Sequence, residues 1–102
     1  VARPRVVKKS DMYYVYVLQS LKDGSLYTGF TRSVSKRFSE HNSGLDKHTI
    51  KLRPWKIIYY EAYLLKKDAI SREKFLKSGS GKRYLDKQLK EYFKSHPRKK
   101  FT

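Results

Sequence analysis

Two tyrosines, an arginine, a histidine and a glutamate carry the side chains in this sequence that could do chemistry together. Tyr16 lies in the run Tyr13–Leu18, Tyr-Tyr-Val-Tyr-Val-Leu, whose β-branched, aromatic and aliphatic residues predict a strand. Tyr27 lies in Leu26–Phe30, the returning strand of a hairpin signalled by Asp23-Gly24. With Asp23 and Gly24 as a two-residue turn, Lys22 pairs with Ser25, Ser20 with Tyr27, Leu18 with Gly29 and Tyr16 with Thr31. Opposed residues share a sheet face and side chains alternate along a strand, so Tyr14, Tyr16, Leu18, Tyr27 and Gly29 point the same way. A glycine inside a strand often marks a place where something approaches the backbone closely. Two phenols flanking that bare patch read as a shallow binding surface. The plainer alternative is core or edge packing in a chain with nine tyrosines.

Arg37 and His41 stand at i, i+4 in a helix predicted over residues 33–43, where Val34 and Phe38 form the adjacent apolar stripe and Gly44 is the stop. At the margin of the buried face, Arg37 can hold a phosphate with two parallel N–H donors, or be one surface arginine among many. His41 suits a general base, a phosphate donor, or a helix-terminal residue facing the dipole. Glu73 falls in a second helix predicted over residues 67–77, with Ala69, Ile70 and Leu76 around it. A carboxylate within an apolar stripe is costly to bury unless it is paired or bound to a cation. A lone oxygen ligand suits Mg²⁺ or Mn²⁺, with water and substrate phosphate completing the shell. A salt bridge to Arg37 or to a nearby lysine is the alternative.

The rest of the chain supplies the frame. Trp55–Tyr60, introduced by Pro54, predicts a third strand, and a polar, basic loop spans residues 43–53. The second helix is expected to stop near Ser78-Gly79-Ser80-Gly81, and a third to run over Lys82–Phe93 with Leu85, Leu89, Tyr92 and Phe93 as its apolar stripe. The expected fold is α+β: a small central three-stranded antiparallel sheet flanked by helices, in the order β-β-α-β-α-α. The domain is expected over residues 12–93, with residues 1–11 a disordered basic arm or non-native extension and residues 94–102 a basic tail.

Length and composition narrow the function. The 102 residues give room for one domain with a modest core. The absence of cysteine excludes disulfides and thiolate metal sites and permits an intracellular address. No run approaches the ~18 apolar residues of a membrane-spanning helix, and the first residues lack the apolar stretch of a secretory signal. Lys and Arg number 25 against 9 acidic residues, for a net charge of +16. Residues 1–11 carry +3 and residues 94–102 carry +4, so the globular part is itself basic at +9. Nucleic acid is the default partner of such a domain; an anionic membrane surface is the weaker reading, because no long basic amphipathic helix stands out.

Taken together, these positions resemble the GIY-YIG nuclease family. The first motif is matched by Tyr14-Val15-Tyr16 and the second by Tyr27-Thr28-Gly29. Arg37 follows in Lys36-Arg37-Phe38, then Glu40-His41-Asn42, and Ala69-Ile70-Ser71-Arg72-Glu73-Lys74 is similar to the helix bearing the family's metal-ligand glutamate. The resemblance covers about residues 12–93 and is nearest to short, stand-alone bacterial members. Tyr14 stands where the family name has Gly, Thr28 replaces Ile, and Leu85 occupies a position where some relatives have Asn. The resemblance implies a cytoplasmic, nucleoid-associated endonuclease acting on DNA, with RNA as the alternative substrate, a single Mg²⁺ or Mn²⁺ and no protein partner. It implies that Arg37 binds the scissile phosphate, Glu73 holds the metal, Gly29 and Lys36 lie against substrate, and His41 shares the base role. Tyr16 is the favoured base and Tyr27 the partner that positions water or phosphate. With no separate target-recognition domain evident, specificity for shape, single strands or branches is expected over sequence. The runner-up is a non-catalytic nucleic-acid-binding module of the same fold, and a third possibility is an accessory domain that binds RNA or ribosomes.

Overall fold

A computed structural model describes residues 6–100. At its centre, β1 (Tyr13–Ser20), β2 (Leu26–Thr31) and β3 (Trp55–Tyr63) form an antiparallel sheet in the order β2-β1-β3. The middle strand is buried continuously from Val15 to Ser20, because helices cover both faces of the sheet. On one face α1 (Val34–Ser43) contributes Val34 and Phe38, which pack with Tyr16, Leu18 and Trp55. On the other, α2 (Lys66–Lys77), α3 (Gly79–Gln88) and α4 (Lys90–Ser95) cover Val15 and Val17 with Ala69, Leu76, Leu85 and Phe93. This is the expected α+β fold. Leu85, at the position where some relatives have Asn, is a fully buried core residue here.

The hairpin register differs from the expected one by two residues. Tyr16 faces Gly29 and Leu18 faces Tyr27, and the strands close where the Ser20 amide donates to the Ser25 carbonyl at 2.8 Å. The expected two-residue turn needs positive φ at both central residues. Only Gly24 has it, at 83°, among the described residues of this loop. The chain instead makes a four-residue loop, in which the Ser20 hydroxyl accepts from the amides of Lys22 and Asp23 and the Asp23 carboxylate accepts from the Ser25 amide. A slip of two leaves every side chain on its expected face.

A bulge shapes the other edge. β3 pairs with β1 as Val17↔Tyr59 and then Leu18↔Ile57, so Ile58 is one residue in excess. Ile57 and Tyr60, three apart, therefore share the face of Leu18 and Tyr16.

The single third helix expected over 82–93 is two helices, α3 and α4, broken at Leu89 (φ −111°, ψ 33°). The Ser78–Gly81 segment is also not a linker. The Ser78 hydroxyl accepts from the Gly81 amide at 3.1 Å and starts α3 directly after α2. The tight joint depends on Gly81, where a Cβ would fall 1.9 Å from the Phe75 carbonyl oxygen.

The segments that flank the domain on both sides touch it within the described residues. Lys9–Asp11 form a 3-10 turn, where the Lys9 carbonyl accepts from the Tyr14 hydroxyl and the Ser10 carbonyl from Arg32. The expected arm thus has a fixed portion next to β1, and its first five residues lie outside the described ones. In the basic tail, the buried Gln19 amide donates to the His96 carbonyl at 3.0 Å, the Lys99 amide donates to the Gly24 carbonyl, and Arg98 pairs with Asp86. Residues 101–102 of that tail lie outside the described residues.

Gly81→Ala should lower stability by about 2 kcal/mol or more, since overpacking against backbone cannot be relieved by a rotamer change. Urea unfolding of the variant beside wild type measures it.

Candidate active site

The sheet face under α1 gathers four of the five expected side chains. Tyr16 projects from the middle of β1 towards β2, and its hydroxyl occupies the space that Gly29 leaves bare: a Cβ on Gly29 would lie 2.3 Å from it. The glycine therefore makes room for a phenol of the protein itself. From that position the Tyr16 hydroxyl meets His41 Nε2 at 2.9 Å. Tyr27, diagonal to Tyr16 on β2, sets its ring edge-on to the His41 imidazole, with centroids 4.8 Å apart. Arg37, one turn before His41, has its Nη2 3.4 Å from the same Nε2.

α1 is held there by its caps and by Asn42. The Ser33 hydroxyl accepts from the Lys36 amide, and Gly44 ends the helix at φ 85°. Asn42 bridges to β3, accepting from the Trp55 amide at 2.6 Å and donating to the Trp55 carbonyl at 3.0 Å. The segment after α1, expected only as a polar loop, folds back over His41. Its Thr49 hydroxyl lies 2.8 Å from His41 Nδ1, and Asp46 binds Arg37 at 3.0 Å. The Trp55 indole in turn donates to the Thr49 carbonyl at 2.8 Å.

These contacts set the proton positions. The Thr49 hydroxyl donates to the Asp46 carbonyl, so it accepts from His41 Nδ1–H. The guanidinium at Nε2 has donors only, so Nε2 carries a lone pair. His41 is then the Nδ1–H tautomer, and Tyr16 O–H donates to it. Burial holds both groups neutral. It raises the Tyr16 pKa to about 12 against the smaller opposing pull of Arg37. It lowers that of His41, helped by the Arg37 charge.

Solvent reaches these residues unequally. Tyr16 is 1 % exposed and His41 0 %. Tyr27 is half-buried, and the Arg37 side chain is 31 % exposed. Arg37 is also bound by two carboxylates, Glu40 at 2.7 Å and Asp46 at 3.0 Å. Burial opposes its charge, but Glu40, the Tyr16 oxygen and Asp46 together outweigh it and keep its pKa above the ordinary arginine value. Burial opposes ionisation of Asp46, but the His48 amide and Arg37 outweigh it and hold the carboxyl below its usual range. Lys36 is exposed on the outer side of α1.

Glu73 does not join this cluster. Its helix packs through Ala69 and Leu76 on Val15 and Val17, which alternate with Tyr16 and Leu18, so α2 lies across the sheet from α1. The Glu73 carboxylate is 21 % exposed, and its ion-pair partner is Lys77 at 3.3 Å, the nearby-lysine alternative. Among the described residues no group of three or more His, Asp or Glu gathers in metal-binding range. What Glu73 offers is one accessible carboxylate with an exposed, displaceable partner. That fits a hard cation such as Mg²⁺, which keeps most of its water and takes one or two protein oxygens.

The charge of α2 that is committed to the sheet is its neighbour Arg72. It pairs with Glu61 of β3 at 2.8 and 3.0 Å and lies over the rings of Tyr84 and Phe75. Glu61 also accepts from Tyr59 and Tyr63, so this network anchors α2 to the sheet. Neither Glu61 nor the pair Asp46 and Thr49 was evident from sequence. Glu61 alternates with tyrosines in a strand, and the loop residues have no periodicity to reveal them.

The site thus places a Tyr-Tyr-Arg-His cluster on one face of a basic three-stranded α+β domain, and comparison with known families gives the class of protein. Residues 12–90 match the GIY-YIG catalytic domain, and the chain belongs to that family. It is 36 % identical to a UPF0213 protein of Bacillus licheniformis over 97 residues, covering 91 % of this chain and 99 % of the relative. A UPF0213 protein of Staphylococcus saprophyticus is 38 % identical, covering 74 % of this chain and 92 % of the relative. One from Clostridium perfringens is 45 % identical, covering 65 % and 71 %. Membership implies nuclease activity on nucleic acid. Among the described residues, no helix is long and apolar enough to cross a membrane.

The depressed His41 pKa has a pH consequence. A group whose folded pKa lies below its unfolded value contributes stability above the unfolded value, here 6.5, and loses it as pH falls through the folded pKa. ¹⁵N NMR of the imidazole should find the Nδ1–H tautomer and a midpoint below 6.5, with stability declining as pH is lowered past that value. An Nε2–H tautomer would contradict the assigned hydrogen-bond directions.

Proposed function

We propose that this chain is a divalent-metal-dependent endonuclease that hydrolyses DNA phosphodiester bonds. It acts on substrate shape rather than sequence, in DNA repair or recombination at the bacterial nucleoid. The observation that carries this reading is one layered cluster: Tyr27 and Arg37 are partly exposed, and the buried Tyr16–His41 pair lies behind them. The charge of +16 supports a polyanionic substrate.

In this mechanism Arg37 holds the scissile phosphate and offsets the charge that grows on its oxygens as water attacks. The two carboxylates on Arg37 fix its fork and leave its exposed edge for the phosphate. Tyr27, the more accessible phenol, orients the attacking water. Tyr16 and His41 act as positioning residues, since both are shut from solvent and held neutral. This takes from Tyr16 and His41 the base role expected of them and leaves Tyr27 in its expected place at the water, and burial is the reason. Lys36, on the exposed side of the same helix, adds attraction for the phosphate backbone, and Gly29 admits the Tyr16 phenol. Glu73 is the metal ligand; a bound Mg²⁺ or Mn²⁺ would polarise the phosphate and stabilise the leaving oxygen. A phosphate that meets both Arg37 and Glu73 would lie along the edge strand β2, on which α2 also packs.

A second reading, a nucleic-acid-binding module with feeble catalysis, draws on the neutralised Arg37 and on the place of Glu73 across the sheet. A Mg²⁺ or Mn²⁺ cleavage panel of linear, single-stranded, flapped and branched DNA, with an RNA control, separates the two. Arg37→Ala should cut at least ~100-fold more slowly than wild type. Glu73→Ala should lose cutting while keeping most of its DNA binding. No cleavage of any substrate, or both variants cutting like wild type, would transfer the case to the binding module.

A further inference from the structure

Beside the catalytic cluster, on the same sheet face, lies a cavity of about 480 Å³ that the proposed chemistry does not use. Tyr14, Tyr60 and Ile57 form its floor, Ser33 and Val34 at the start of α1 one wall, and Lys9 and Arg32 its rim. No acidic residue lines it. We propose that this cavity is a subsite for one unpaired nucleotide of the substrate strand, its base against Tyr14 and Tyr60 and its phosphate towards Arg32 and Lys9. The proposal rests on the nuclease reading and names the substrate class of that same site.

The volume is in the range of small-molecule sites, larger than a lone phosphate requires. Tyr14 and Tyr60 meet at 60° with centroids 6.1 Å apart, a corner of two aromatic faces. Tyr60 is 58 % exposed, whereas Trp55 and Ile57, on the same face of β3, are buried and partly buried. Its orientation depends on the bulge at Ile58: without the extra residue, Ile57 and Tyr60 would lie on opposite faces and the floor would be lost. Exposed aromatic rings beside cations are how single strands are held without reading sequence.

Charge supports the same occupant. Arg37, Arg72 and Arg98 are each bound to carboxylates. Among the described residues no carboxylate pairs with Arg32 or Lys9. Arg32 is braced by the Ser10 carbonyl at 2.7 Å and by the Tyr13 ring, contacts that fix its place and leave its charge uncompensated. The cavity also adjoins the reacting phosphate. Tyr60 pairs directly with Tyr16 across the sheet, and Val34 precedes Arg37 by about one helical turn, roughly 5 Å along the axis. A strand whose phosphate lies at Arg37 therefore has a neighbouring nucleotide at the cavity mouth. In a duplex that base is stacked and paired; only an unpaired or frayed one can turn in.

The test is binding of a fluorescein-labelled DNA single strand by the full chain, without divalent cation, followed by anisotropy. Tyr60→Ala should weaken binding about tenfold, and Tyr60→Phe by no more than about twofold. Blunt duplex should bind Tyr60→Ala and wild type alike. A set of strands, each with one abasic position, should include one that wild type binds about tenfold more weakly and that Tyr60→Ala does not distinguish from the intact strand. Wild-type affinity in Tyr60→Ala, or abasic losses equal in both proteins, would overturn the subsite. Cleavage assays on the same strands keep the two ideas apart. If wild type cuts and Tyr60 has no effect on binding, the subsite fails and the nuclease reading stands. If nothing is cut but the Tyr60-dependent abasic loss is found, the subsite stands and the nuclease reading fails.

Discussion

The hydrogen bond between Tyr16 and His41, made where Gly29 leaves the sheet bare, is the contact on which the geometry of this face turns. It joins the middle strand to α1, and through Nδ1 of His41 it continues to Thr49 and the loop that carries Asp46. That loop in turn holds Arg37. A bond made where water is excluded costs more to break than one on the surface, because each partner would be left buried and unsatisfied. The neutral state of both partners follows from the same burial. The glycine of the second strand is then a packing requirement: a residue with a Cβ at position 29 and a tyrosine at 16 cannot share the space.

Electrostatics divides the molecule unevenly. The chain is strongly basic, yet Arg37 sits between two carboxylates, while Arg32 and Lys9 at the neighbouring cavity have none. Long-range attraction brings a polyanion to the surface, and local pairing decides which cations are already committed. The committed arginine is held to a fixed geometry, which in the proposed mechanism meets the reacting phosphate, and the uncommitted cations are those assigned to a flanking nucleotide. Glu73 and its helix stand apart from both, anchored by Arg72 and Glu61, with the sheet between them and the tyrosines.

Much of this face could be read in the sequence. Tyr16, Tyr27 and Gly29 were placed together because alternation survives a register error of two, and Arg37 and His41 because helical spacing is local. The register itself could not be read, since Asp-Gly suggests a two-residue turn and the Ser20 hydroxyl, by accepting from two loop amides, selects a longer one. The burial of His41 was hidden for a similar reason: its cover comes from Thr49 and Asp46, in a segment with no period. The apolar stripe around Glu73 was legible, but the face of the sheet it would cover was not. An amphipathic helix can pack on either side, and the choice is made by connections and by long-range pairs such as Arg72 with Glu61. The break at Leu89 and the Gly81 joint are likewise tertiary features in a stretch whose local pattern reads as one helix.

The central claim is that Tyr27 works at the substrate while Tyr16 holds the site from within. Single-turnover cleavage by Tyr27→Phe and Tyr16→Phe, with the urea stability of each, tests it most directly. The account predicts that Tyr27→Phe loses ~100-fold or more in rate with stability within ~0.5 kcal/mol of wild type. Tyr16→Phe should lose about 1–3 kcal/mol of stability through loss of the buried hydrogen bond to the His41 nitrogen and a smaller factor in rate. A folded Tyr16→Phe that no longer cuts, beside a Tyr27→Phe that cuts like wild type, would contradict it.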